Sequence, residues 1–209
     1  MRMLNRRPQL SSEVDQVMNL PDIRNLYAYN RWANSRMFSV LEKLTQEQFV
    51  AVRESSFPSI HESVFHIFAA EWIWLKRWTG ASPVAIEPVT GASFETWRNL
   101  RSAGEPPPQD LHTIAALRDF CNELDHDREE LLENLTEATL QARVSFNDMS
   151  GKPYSEPLVN LMQHVVNHGT YHRGQVTTLL RQAGAETISL DMLYFFREQQ
   201  DKAAAATRS

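Results

Sequence analysis

The sequence predicts an all-α protein: a four-helix bundle with one long crossover connection and a small β-hairpin before the last long helix. Three observations lead there. Four segments, each of about 20 residues, place apolar side chains at helical spacing. One connection, residues 80–108, is rich in Pro, Gly, Ser and Thr. The period changes once, in ARVSFNDMSGKPYSEPL, where two short extended runs flank a Ser-Gly-Lys turn.

Residues 1–19 read as an irregular lead-in, residues 20–200 as the bundle domain and residues 201–209 as a frayed tail. Ile23, Leu26, Tyr27, Met37, Phe38 and Leu41 set the first helix at roughly 22–43. LTQEQF forms a short turn with Thr45 and Gln48 in capping-box register. Ser59 is the N-cap of the second helix, with Glu62 three residues on, and the helix runs through VFHIFAAEWIWLKRW to stop at Gly80. A short helix near SFETWRNL fits within the long connection. Asp110 starts the third helix, which extends to about residue 135. Pro157 suits the first turn of the fourth, which ends near Gly184. DMLYFFREQQ makes a short terminal helix.

Composition narrows the function. The 209-residue chain carries a formal net charge of -5, so no basic field supports a nucleic-acid partner. The single cysteine, Cys121, excludes an internal disulfide and suits a reducing compartment, as an inert buried thiol. No run approaches the roughly 20 apolar residues of a membrane span. The richest, IFAAEWIWL, is interrupted by Glu71. The expectation is a soluble, cytoplasmic protein with no membrane partner.

The chemistry concentrates in HVVNHGTYHRGQV, which spaces His164, His168 and His172 four residues apart. Measured from the centre of the helix's apolar stripe, His172 lies about 50° away, His168 about 90° and His164 about 130°. His168 and His172 therefore border the core and His164 points to solvent. A firmly held zinc-like ion needs a third protein ligand, which must come from another helix. His66, inside the apolar run VFHIFAA, is the best candidate, because a bare imidazole there would be costly. His61 falls in the first turn of its helix, a wet location, and His112 and His126 read as surface residues. The competing reading makes His66 a hydrogen-bonded core histidine. No His-Glu-x-x-His is present, so zinc-protease chemistry is not indicated.

Taken together, YNRWANSRMF, SIHESVFHIFAAEWIWLKRWTG, HVVNHGTYHRGQV and DMLYFFRE resemble the DinB family, also called DinB/YfiT-like, over roughly residues 20–198. The resemblance implies a four-helix bundle holding a divalent metal on His66, His168 and His172, with Zn2+ the default and Ni2+ its rival. It also implies a homodimer. Some relatives transfer or isomerise through low-molecular-weight thiols, so a small electrophilic substrate and a thiol partner are expected. The lead-in and the 80–108 connection depart from a typical member.

An open three-histidine site is the arrangement of a catalytic metal. It would activate a thiol or water, as in a thiol transferase or a hydrolase. The alternatives are a non-catalytic, stress-associated metal-binding protein and a metal-free interaction module. Four side chains are candidates for supporting roles. Asn167 and Gln175 would hydrogen-bond near the metal. Arg173 would pair with an anionic substrate or with a surface carboxylate. Glu71 would orient a ligand imidazole or cap Arg31. Tyr27, Trp32 and Trp74 read as core or dimer contacts.

Overall fold

The structure is a computed structural model and describes residues 18–79, 111–147 and 152–207. Helix α1 spans Leu20–Leu41 and starts two residues before its predicted boundary, for a local reason. The Asn19 side chain accepts from the Asp22 backbone N–H at 3.0 Å, and the Asp22 carboxylate accepts from Asn19 at 3.2 Å. This reciprocal cap closes over Pro21, whose fixed φ suits a first turn. The expected Thr45–Gln48 box caps α2, Gln46–Val50.

Ser59 caps α3, Ile60–Trp78, by accepting from the Glu62 backbone at 3.1 Å. The stop expected at Gly80 and the short helix near SFETWRNL lie outside the described residues. Helix α4, Ile114–Asn134, corrects the start expected at Asp110: the cap is Thr113, whose hydroxyl accepts from Ala116. A one-turn helix not anticipated from the sequence, α5 at Glu137–Gln141, follows on a Thr136 cap. Five residues are too few to display a period.

The hairpin forms as expected. Strand β1, Arg143–Asn147, pairs antiparallel with β2, Pro153–Pro157, and Ser145 lies opposite Ser155. Its turn lies outside the described residues. Pro157 ends β2 and is the N-cap of α6, Leu158–Gln182, so strand and helix join without a linker. Gly184 ends α6 in a left-handed conformation, φ 69°, which a side chain would disfavour. Helix α7, Met192–Ala206, runs past the point where fraying was expected, because Ala203–Ala206 are the strongest helix formers. Among the described residues no helix is long and apolar enough to cross a membrane.

The long helices α1, α3, α4 and α6 bury two apolar clusters. In one, Phe38 stacks on Phe68 at 5.6 Å, among Met37, Trp72, Leu117 and Leu179. The buried thiol of Cys121 sits there, its pKa pushed up to about 12 by desolvation, which suits the inert role expected of it. In the other, Ile23, Tyr27, Val159, Met162 and Phe195 meet. Tyr27 donates to the Met162 carbonyl at 3.1 Å, and Trp32 packs on Tyr29 and Phe195 while donating to Glu198 at 2.8 Å. Both fill the core roles anticipated for them.

A chain of buried polar side chains crosses the bundle. Arg173 on α6 donates to Asn30 at 2.7 Å and to Asn34 at 2.8 Å, both on α1. Asn30 donates to Glu71 on α3 at 3.0 Å. Glu71 accepts from Arg128 on α4 at 2.5 Å, and Arg128 also pairs with Asp125. Every member helps to satisfy another, the condition under which buried charge is tolerated.

Candidate metal centre

Helix packing brings the two halves of the histidine pattern together. The α3–α6 seam places His66 opposite His168 and His172, and one ligand atom from each lies within 4.8 Å of the others. The His66 and His168 Nε2 atoms are 3.2 Å apart, and those of His168 and His172 are 3.1 Å apart. His172 is buried, His168 half-buried and His164 exposed, the order that the helical wheel predicts.

Hydrogen bonding alone satisfies this cluster poorly. Each Nε2 carries either one proton or one lone pair. The Gln175 Oε1 atom lies 2.8 Å from His172 Nδ1 and holds the proton there, leaving a lone pair on His172 Nε2. The single Nε2 of His168 can then serve one of its two close contacts, not both. A shared cation suits all three nitrogens. Tetrahedral ligands at a Zn–N distance of about 2.0–2.1 Å stand roughly 3.3 Å apart, close to the spacings found. Desolvation, together with His172 and His164 nearby, pulls the His168 pKa down to about 4, so the imidazole is neutral and able to coordinate at pH 7. The three-histidine group could therefore hold a metal ion.

One wall comes from a residue with no sequence signal. Phe57, in the α2–α3 loop, stacks on His66 at 4.4 Å and meets His172 edge-on at 5.5 Å. Arg53 shapes that loop: its side chain donates to the Gln48 and Ala51 carbonyls at 2.9 Å, and its N–H donates to Pro58 at 2.7 Å. The loop also brings Ser56 to Gln175, which donates to it at 3.4 Å. On the other side, half-buried Trp74 meets His164 at 5.5 Å and the hairpin's Phe146 at 5.0 Å. Trp74 thus packs between α6 and the hairpin at the border of the cluster.

The supporting candidates divide. Gln175 is at the cluster, as expected. Arg173 does not pair with a surface carboxylate: it is 1% exposed and donates to Asn30, Asn34 and Thr170. Glu71 does not cap Arg31, which pairs with Glu129 instead; its oxygens accept from Asn30 and Arg128. Asn167 is exposed on the opposite edge of α6 and lines a groove there. His126 is exposed, as expected. His61 is 1% exposed, not wet: Phe49 of α2 and the entry to α4 cover it, and its Nε2 lies 3.0 Å from the Leu111 carbonyl. His112 is half-buried against it, with ring centroids 4.6 Å apart, so it is not a simple surface residue either.

A helical bundle with three convergent imidazoles from two facing helices is the kind of scaffold that builds metal centres in its core. Residues 15–203 match the DinB family model, and the chain belongs to the DinB family. It is 28% identical over 179 residues to Protein DinB of Bacillus subtilis (strain 168), covering 85% of this chain and 96% of that protein. A crystal structure of a DinB-like protein from Bacillus cereus ATCC 10987 shares the fold, with a TM-score of 0.55 and 20% identity over 83% of this chain and 98% of that one.

Proposed function

We propose that the protein is a metal-dependent enzyme that directs a thiol or water against a small electrophilic molecule. The observation that carries this reading is the convergence of the His66, His168 and His172 Nε2 atoms at 3.1 and 3.2 Å. Three neutral nitrogens leave a divalent ion with positions to spare, the arrangement of catalytic sites. When bound, such an ion lowers the pKa of a thiol or water and makes it a nucleophile near neutral pH. Imidazole donors suit zinc and nickel alike.

The chain's own residues orient and shield. Gln175 accepts from His172 Nδ1 and fixes the tautomer that leaves Nε2 free to coordinate. Phe57 covers the His66 ring and keeps water from that side. Among the described residues no carboxylate joins the three-histidine group, so its donor set is made of imidazoles alone.

Elemental analysis of the purified protein, followed by thiol-consumption and hydrolysis assays on a panel of electrophiles, tests the reading. One divalent ion per chain is expected, with turnover lost in His66→Ala. A protein without stoichiometric metal, or a His66→Ala variant with undiminished turnover, would overturn it.

A further inference from the structure

The seam between α3 and α6 continues past the histidine cluster. His66, Ala70 and Trp74 follow at intervals of four along one edge of α3, and His172, His168 and His164 along the facing edge of α6. The two edges run antiparallel, since His66 meets His172 at 4.5 Å and Trp74 meets His164 at 5.5 Å. His164 in turn stands 5.8 Å from His168. On the α6 side, therefore, a single imidazole spans the gap between Trp74 and the cluster. On the α3 side the same stretch carries only the methyl group of half-buried Ala70. The edge of α3 thus steps down between two rings whose residues lie about 12 Å apart along the helix axis.

Trp74 is held firmly and left open. Trp72, on the same helix, is 0% exposed and belongs wholly to the core. Trp74 stays half-buried although three partners fix its ring. Phe146 meets it edge-on at 5.0 Å, His164 at 5.5 Å, and the Arg77 guanidinium lies 4.6 Å from its centroid. Arg77 is itself tied down, for it also lies over Phe146 at 5.2 Å and donates to the Asn147 carbonyl at 3.1 Å. Two further rings remain accessible at the cluster end. Phe57 is half-buried on His66, and Tyr171, 66% exposed, stands edge-on to His172 at 5.0 Å. Accessible rings around a few convergent polar groups are the usual lining of a small-molecule site. A ring already fixed in place loses little entropy when a flat ligand stacks on it.

From the low step at Ala70 and the fixed, open ring beside it we infer that the molecule bound at the histidine cluster carries an aromatic ring, and that Trp74 is the residue that selects it. The ring lies over Ala70, between His168 and Trp74, and a short link joins it to the group held at the cluster. A molecule without a ring, or with a puckered aliphatic one, reaches the cluster but gains little from the flat wall. The inference rests on the metal reading and names the substrate class within it: an electrophile that bears an arene.

Hydroxamates, which chelate an open zinc site through one common head group, test it. Calorimetry of the Zn2+-loaded full chain compares acetohydroxamate, cyclohexylacetohydroxamate and phenylacetohydroxamate. The last two match in carbon count, and only the phenyl ring is flat. Phenylacetohydroxamate binds about three- to tenfold more tightly than the cyclohexyl compound, the span expected of a ring–ring contact. That preference is lost in Trp74→Leu and returns in Trp74→Phe. In 15N spectra the Trp74 indole N–H signal, assigned as the one missing from Trp74→Phe, shifts with the phenyl compound and not with acetohydroxamate. A purely structural tryptophan would not show this. Equal binding of the phenyl and cyclohexyl compounds, or an unmoved indole signal, overturns the inference and leaves the metal reading standing. So does a Trp74→Leu variant that loses affinity for all three hydroxamates alike. A protein that holds no stoichiometric zinc and binds none of the three overturns both.

Discussion

Replacing Glu71 by leucine strands a buried cation. The Arg128 and Glu71 side chains are 6% and 3% exposed, so water cannot take the place of the lost partner. Breaking one side of a buried pair costs about 3–5 kcal/mol. Arg128 keeps Asp125, which favours the lower end, about 3 kcal/mol. Asn30 also loses the acceptor for its Nδ2, which adds about 1 kcal/mol. The total, about 4 kcal/mol, corresponds to a fall in Tm of roughly 8–16 °C for a chain of this size. The double variant Glu71→Leu/Arg128→Leu removes both charges and is expected to be more stable than Glu71→Leu alone. Urea unfolding of the wild type, both single variants and the double variant, in excess chelator to silence any metal contribution, gives the coupling energy. Additive losses, or a Glu71→Leu cost below about 1 kcal/mol, would refute the view that this pair is desolvated and mutually dependent.

Acid should destabilise the fold through His61. Burial lowers its pKa from 6.5 to about 4, so the unfolded chain binds the extra proton first. Stability is therefore full above pH 6.5 and falls as the pH drops toward 4, by up to about 3 kcal/mol, and His61→Phe should flatten that slope in urea titrations at several pH values. Gln175→Ala should weaken metal binding about 10–100-fold in competition with a chelating dye while leaving Tm in chelator nearly unchanged. Gly184→Ala, at φ 69°, should lower stability by about 1 kcal/mol, measured by thermal unfolding. His66→Ala should abolish the rise in Tm on adding Zn2+ or Ni2+, which in the wild type grows with ion concentration.

What could be read from the sequence was what depends on neighbours along the chain. His168 and His172 share an edge of α6 because they are four residues apart, and His66 stands out because its surroundings in α3 are apolar. The caps at Thr45 and Ser59 are equally local. Partner choice across the bundle was not legible. Arg173 could have met a carboxylate, and it meets two asparagines about 140 positions away. The same holds for His61: a first helical turn is wet unless something covers it, and here the segment at Leu111 does. Phe57 carries no periodic signal, since its position depends on how Arg53 folds the loop.

The polar chain from Arg173 to Arg128 ties α6, α1, α3 and α4 together and so bears on the register of the histidine cluster. Greasy surfaces tolerate sliding, because one apolar contact can be exchanged for another. Ionic and amide partners cannot be exchanged in that way. If α6 slid by one turn, about 5.4 Å, Arg173 would keep at most one of Asn30 and Asn34, which stand one turn apart on α1. Arg173 follows His172 directly, and Glu71 lies five residues beyond His66 on α3. The polar chain therefore acts as a longitudinal stop that fixes how far each helix is inserted into the bundle. The register of the three imidazoles is thus held by polar partners one residue from His172 and five from His66.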